Sequence, residues 1–277
     1  MFAVAQWSGP AQARAQGPDP TTLAVRSAVV VQGKVQKVQA SAEPLLAATA
    51  STVIIKVTRM LAGNEFAGDQ TGHLVTVILS KPGSMKEGTE ALFFGNPRFI
   101  GKTMTIADEG ELPMQAANAA VAPAVARGIQ ARRDAPIRER LAIAAMVFRG
   151  TVESVKPLEQ GEGKRREPPT EHDPEWQLAT VKVTAAERGT QNGATVVVAF
   201  PASRDIMWFN SPKLKPGQEA LFVAHRPQED ELRLLRTTGV LQQLEEAHGL
   251  VVSQPFDVLR PDEEKRVIEL MQTKGVQ

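Results

Sequence analysis

The 277-residue chain contains no cysteine and no tyrosine, and only 5% of its residues are aromatic. Lack of cysteine excludes disulfides, a thiolate nucleophile and any Cys-ligated zinc or iron–sulfur centre. Charge of one sign is missing too: 32 Lys and Arg stand against 31 Asp and Glu, a formal net charge of +1. Bulk electrostatics therefore steer the molecule neither to nucleic acid nor to an anionic membrane. No segment after the N-terminus approaches the roughly 20 apolar residues of a transmembrane helix. The familiar catalytic signatures are also absent: no Gly-x-Ser-x-Gly, phosphate loop, Gly-x-Gly-x-x-Gly or His-Glu-x-x-His. No cofactor is expected.

What the chain does contain is a repeat. "EGTEALFFG" (Glu87 to Gly95) returns as "PGQEALFVA" (Pro216 to Ala224), and the match extends outward on the N-terminal side. "VVVQGKVQKV" from Val29 matches "MVFRGTVESV" from Met146, placing Gly33 opposite Gly150. "TVIIKVTRMLAG" from Thr52 matches "LATVKVTAAERG" from Leu178, and "HLVTVIL" from His73 matches "ATVVVAF" from Ala194. Four blocks in one order read as an internal duplication, with a period too long for a solenoid. Each block is β-branched, alternates with period two and ends in Gly, Pro or polar residues, the pattern of half-buried strands. "KTMTIAD" (Lys102 to Asp108) and "ELRLLRTTG" (Glu231 to Gly239) are candidate fifth strands.

The expected fold is mainly β: two tandem five-stranded OB-like barrels. A Gly in a long first strand lets that strand bend to serve both sides of a barrel, and closure leaves no exposed edges. An immunoglobulin-like sandwich is the alternative, though it wants about seven strands. "DPTTLAVRSA" and "DAPIRERLAIA" read as short lead-in helices, the second with Asp134 as N-cap. "RPDEEKRVIELMQTKG" reads as an amphipathic helix carrying Val267, Leu270 and Met271 on one face. The expected boundaries are a truncated signal peptide or a disordered leader over 1–18, a first barrel over 19–112, an Ala/Pro-rich linker with short helical pieces over 113–133, a second barrel over 134–247 and an extension with the amphipathic helix over 248–277. In the leader, Ala11-x-Ala13-x-Ala15 has the form of a secretory cleavage site, although the preceding apolar run is short and lacks a basic flank. The expected location is extracytoplasmic, either periplasmic or secreted.

The order "DAPIRERLAIAAMVFRGTVESV", "EHDPEWQLATVKVTAAERG", "TVVVAFPASRDIMWFNSPKLKPGQEALFVAHRP" resembles the NTR-like domains of the tissue-inhibitor-of-metalloproteinase type. It is most similar to their secreted, cysteine-free bacterial members, most of which have no assigned function. The resemblance covers the second half well and the first loosely, and it implies an OB-type barrel. Inhibitors of that family act through an N-terminal cysteine, so their mechanism does not carry over to a cysteine-free chain.

The two halves differ by insertions in the second. These fall in "KPLEQGEGKRREPPTEHDPEW" and "PASRDIMWFNSPKLKPG", and they bring Trp176, Trp208, Phe209, Arg204, Asp205, His172 and Lys213. Trp and Arg are the residue types that most often anchor interfaces, so these seven form the candidate partner-binding set. Trp176, directly before a strand, also fits a core plug, and Trp208-Phe209, between Pro201 and Pro212, fits either packing or recognition. His172-Asp173 with His225 could converge as metal ligands, but no spacing supports it and no metal is expected. His225 is expected to be exposed at a strand end, and Ser203 and Ser211 lack any motif that would make them nucleophiles. The expectation is a non-catalytic binding or scaffold protein that engages a protein or peptide through loops of the second barrel. Two alternatives stand beside it: an OB protein binding single-stranded nucleic acid, disfavoured by strands of Val, Ile, Thr and Leu, and an enzyme with a site assembled from scattered residues.

Overall fold

The structure is a computed structural model that describes residues 19–101, 103–114, 119–158, 172–238 and 240–273. The expected leader and most of the first insertion lie outside these residues. The chain divides into two compact units, 1–133 and 134–277.

In the first unit, α1 (Pro20–Arg26) is capped by Asp19, whose carboxylate accepts from the N–H groups of Thr21 and Thr22. Strands β1 (Val29–Val38) and β2 (Thr52–Ala62), the short helix α2 (Asn64–Ala67), and strands β3 (Leu74–Ile78), β4 (Glu90–Ile100) and β5 (Thr103–Pro113) follow. The strands close into a five-stranded barrel of order β1-β2-β3-β5-β4, with β4 returning to β1 and β3 running parallel to β5. The period-two alternation sorts the side chains. Val29, Val31, Val35, Ala91 and Phe93 fill the barrel, whereas Val30, Leu92 and Phe94 point outward onto Leu23 and Ala24 of α1 and onto Val121 and Val125. Both faces of β1 and β4 are thus apolar, which their near-continuous hydrophobic runs express.

Helix α3 (Val121–Ile143) comes next, and the boundary between the units falls within it, after Arg133. It replaces the expected short helical pieces with one helix of 23 residues. Packing outweighs the local helix breakers. A Cβ at Gly128 would lie 2.4 Å from Thr21 O and 2.6 Å from the Ala24 Cβ, so glycine permits the close crossing of α1. Asp134 is not a cap; it lies inside the helix, buried, with Arg266 Nη2 at 2.7 Å from its carboxylate. Past Pro136, Ile137 and Leu141 belong to the second unit and pack into its core with Val147, Leu221 and Val267.

The second unit contains β6 (Ala144–Pro157), β7 (Trp176–Arg188), β8 (Thr195–Pro201), β9 (Glu219–His225), α4 (Glu229–Thr237), α5 (Leu241–Glu246), β10 (Leu250–Val251), β11 (Val258–Leu259) and α6 (Glu264–Gln272). Its sheet has six strands in the order β10-β8-β7-β6-β9-β11, with β10 also pairing β9 at Val251 and His225. The candidate fifth strand from Glu231 is instead helix α4. Three acids in the first turn and a capping box between Gln228 and Glu231 specify the helix start, and Leu235 is the side chain it buries in the core. The strand that runs parallel to β8 is β10, only two residues long, from the region read in sequence as an extension. The expected amphipathic helix is α6, which buries Val267 and Leu270.

Gly33 faces Val57 and Ala91; Gly150 faces Val183 and Ala220. The ladder shifts register immediately before each glycine, and a Cβ at Gly150 would come within 2.7 Å of Lys182 O. Each first strand thus carries a ladder irregularity at its glycine, the kind of feature at which a strand can bend.

Candidate functional site

The second insertion folds back on the strand that follows the first. Ser203 is buried, and its Oγ accepts from Glu175 N at 2.6 Å. Ala202 N donates to Glu175 O at 2.7 Å. The segment 201–203 is thereby stitched to the start of β7. Ser203 is committed to these backbone bonds and is not poised as a nucleophile.

Beyond it Asp205 starts a single 3₁₀ turn, Ile206–Trp208, by accepting from Met207 N at 2.8 Å. Its other oxygen lies 3.1 Å from His172 Nδ1. The Met207 N–H, with the His172 ring beside it, holds the Asp205 carboxyl below its usual range. Trp208 is half-buried; its Nε1–H donates to His172 O at 2.8 Å, and its ring sits 6.3 Å from that of Trp176, tilted by 57°. Lys213 closes the far side, with Nζ donating to Pro201 O at 2.7 Å and Trp208 O at 2.9 Å. Partial burial lowers the pKa of that ammonium.

Six of the seven residues expected from the sequence thus lie in one constellation: His172, Trp176, Asp205, Trp208, Phe209 and Lys213. Arg204 is exposed beside them. Their roles separate. Trp176 is 4% exposed and packs with Leu158, Ala199, Leu235, Val240, Leu244 and Val251, while His172, Asp205, Trp208 and Lys213 brace the turn. What the brace holds outward is Ile206 at 82% exposure, Met207 at 68% and Phe209 at 74%. Ile206 and Met207 were not among the expected residues. The signal that would have found them is three large apolar residues in a short segment between Pro201 and Pro212 with no alternation to assign them to a strand.

A second polar cluster lies inside the same unit. His225, expected at the surface, is buried, because β9 ends beneath α3 and α4 rather than at a free rim. Its Nε2 lies 3.0 Å from Glu231 Oε2, and Arg140 Nη2 lies 3.1 Å from its Nδ1. Arg140 Nε donates to Asp257 Oδ1 at 2.6 Å. The Asp257 carboxylate also accepts from the N–H groups of Ser253 and Gln254 at 2.8 Å each, and Ser253 Oγ donates to Glu231. Burial alone would raise the Glu231 pKa, but the bonds to His225, Ser253 and Gln228 N outweigh it and leave the carboxyl below its usual range. Ser253 bonds to Glu231, so no Ser–His nucleophile pair forms, and both residues are closed to solvent. The cluster ties α3, β9, α4 and the turn before β11 together. His172 and His225 have separate partners and are not brought together, and no metal-holding group of His, Asp and Glu occurs among the described residues. Nor is any described helix long and apolar enough to cross a membrane.

No family model matches the chain, and no curated protein matches it.

Proposed function

We propose that this chain is a non-catalytic binding or scaffold protein whose second unit docks a protein or peptide partner through the 203–213 turn. One observation carries the proposal: Ile206, Met207 and Phe209 stand in solvent on a turn whose backbone is fixed from below. An unbraced apolar loop would collapse inward, and holding it out costs ordering entropy and apolar exposure that a partner repays. Pre-organisation also lowers the entropy lost on binding. The Ala11-x-Ala13-x-Ala15 series supports an extracytoplasmic setting.

Both units are further proposed to be OB-like barrels descended from one duplicated, NTR-like ancestor. Support comes from matching details: Gly88 N donates to Val35 O at 2.9 Å and Gly217 N to Val152 O at 2.8 Å, with both glycines at positive φ. In the second unit the turn before the second "EALF" gained the braced insertion, so partner binding is assigned there.

The test is a photoreactive diazirine side chain at position 207, irradiated in cell-envelope extract. Protein adducts that disappear when Phe209→Ser is added support the proposal. Adducts indifferent to that change, or none, refute it.

A further inference from the structure

The chain has 8 methionines and no cysteine, so thioethers are its only oxidisable sulfur. The fold shields most of them. Met85 and Met104 are 7% and 6% exposed inside the first barrel, and half-buried Met60 packs against the same core while its Sδ accepts from Gln70 N at 3.1 Å. Met114, Met146 and Met271 are half-buried against other apolar clusters. Met207, at 68%, is the one exposed methionine among the described residues. It enters the brace only through its N–H, which donates to Asp205, so no bond of the brace depends on the sulfur. That sulfur lies on the docking turn between exposed Ile206 and exposed Phe209.

We propose that Met207 is a modification site: a peroxide oxidises it to the sulfoxide, and this switches docking off. The inference rests on the docking reading above and names its regulation. The sulfur lone pair attacks one peroxide oxygen, the S–O bond forms as the O–O bond breaks, and the sulfur gives up two electrons; the other oxygen leaves as water, taking the proton of the first. Reduction by a dithiol sulfoxide reductase returns the oxygen as water and leaves a disulfide on the reductase. Oxidation replaces a flexible apolar side chain with a polar one. Docking would then bury a sulfoxide oxygen against the apolar groups that Ile206 and Phe209 select, and an acceptor buried without a donor weakens association about tenfold. The brace is untouched, because Asp205, His172, Trp208 and Lys213 make their bonds without the Met207 side chain. Loss of docking without loss of fold separates this switch from oxidation of a core methionine.

In the test, the purified full chain carries a photoreactive diazirine side chain at exposed position 210. It is treated with hydrogen peroxide, freed of it with catalase, and irradiated in cell-envelope extract at sub-saturating concentration. Peptide mass spectrometry should show Met207 gaining one oxygen before the other methionines. Adduct yield should then fall about tenfold with an unchanged denaturant midpoint, and a methionine sulfoxide reductase with its dithiol should restore it. Met207→Leu, apolar and not oxidisable, should give the same yield before and after peroxide; Met207→Gln, polar without oxidation, should behave like the oxidised chain. Oxygen uptake no faster than at the half-buried methionines, a yield indifferent to oxidation, or a Met207→Leu chain as sensitive to peroxide as wild type overturns the switch. If the unoxidised chain gives Phe209-dependent adducts that peroxide leaves unchanged, docking stands and the switch alone is wrong; if it gives none from either 207 or 210, the docking reading is wrong and the switch falls with it.

Discussion

Trp208→Ala and Phe209→Ala, neighbours on one turn, should separate cleanly into a stability effect and a binding effect. Truncating Trp208 removes the hydrogen bond from Nε1 to His172 O and the ring contact with Trp176. A bond of this kind contributes about 0.5–1.5 kcal/mol, and an aromatic pair a similar amount beyond its buried area. Adding the half-buried surface, the expected loss is about 2–3 kcal/mol. Phe209 is 74% exposed, so only about a quarter of the ~1.5–3 kcal/mol for a fully buried side chain is at stake, roughly 0.5 kcal/mol. Denaturant melts give the stabilities; adduct yield from a photoreactive group at position 207 gives docking. Phe209→Ala should keep the wild-type midpoint and lose most adducts. Trp208→Ala should lose stability, and lose docking only because the turn is no longer held. A loss below about 1 kcal/mol for Trp208→Ala would refute the bracing role; a loss above about 1.5 kcal/mol for Phe209→Ala would refute its exposure.

Two further outcomes follow from the titratable groups. Burial, with the Glu111 carboxylate beside it, raises Asp108 to about 6, above its unfolded value of about 3.9. Its ionisation therefore destabilises the fold at neutral pH, and wild-type stability should rise as pH falls from above 6 toward 4. After discounting for partial exposure, Asp108→Asn, which keeps an acceptor for Ser80, should stabilise by about 1–2 kcal/mol at pH 7.5 and by almost nothing at pH 4; a destabilised variant at pH 7.5 would contradict the shift. Arg140→Met strips the fully buried Asp257 of its cation and should cost about 3–5 kcal/mol, largely restored by adding Asp257→Asn. A double variant no better than the single one would show that the pair is not the unit of stability.

Strand positions and the bending glycines were legible because they are local. Val29 to Val38 and Met146 to Val155 carry the period-two pattern, and the turn glycines Gly88 and Gly217 occupy positive φ as their contexts require. The fifth strand of the second unit was not legible. A two-residue strand such as Leu250–Val251 carries too few residues to show a period, whereas the leucines from Glu231 fit either a strand or a helix until the capping box decides. The long α3 was hidden by Gly128 and Pro136, whose cost is outweighed by close packing on α1 and by Ile137 and Leu141.

By itself the sequence determined that the protein is mainly β and lacks cysteine chemistry, and it placed Trp176, Trp208 and Phe209 in segments where the second half differs from the first. Those properties depend on composition, alternation and register, all of which a linear string contains. Only the tertiary structure decided which aromatics face inward. Trp176, the first residue of β7, and Trp208, in the 3₁₀ turn beside it, are the same residue type, yet one is sealed against Leu235 and Leu244 and the other braces a turn that leaves Ile206, Met207 and Phe209 in water. Likewise His225 became a buried partner of Arg140 and Glu231 only once α3 and α4 covered the end of β9. Burial is a property of what packs above a residue, and those elements lie far away along the chain.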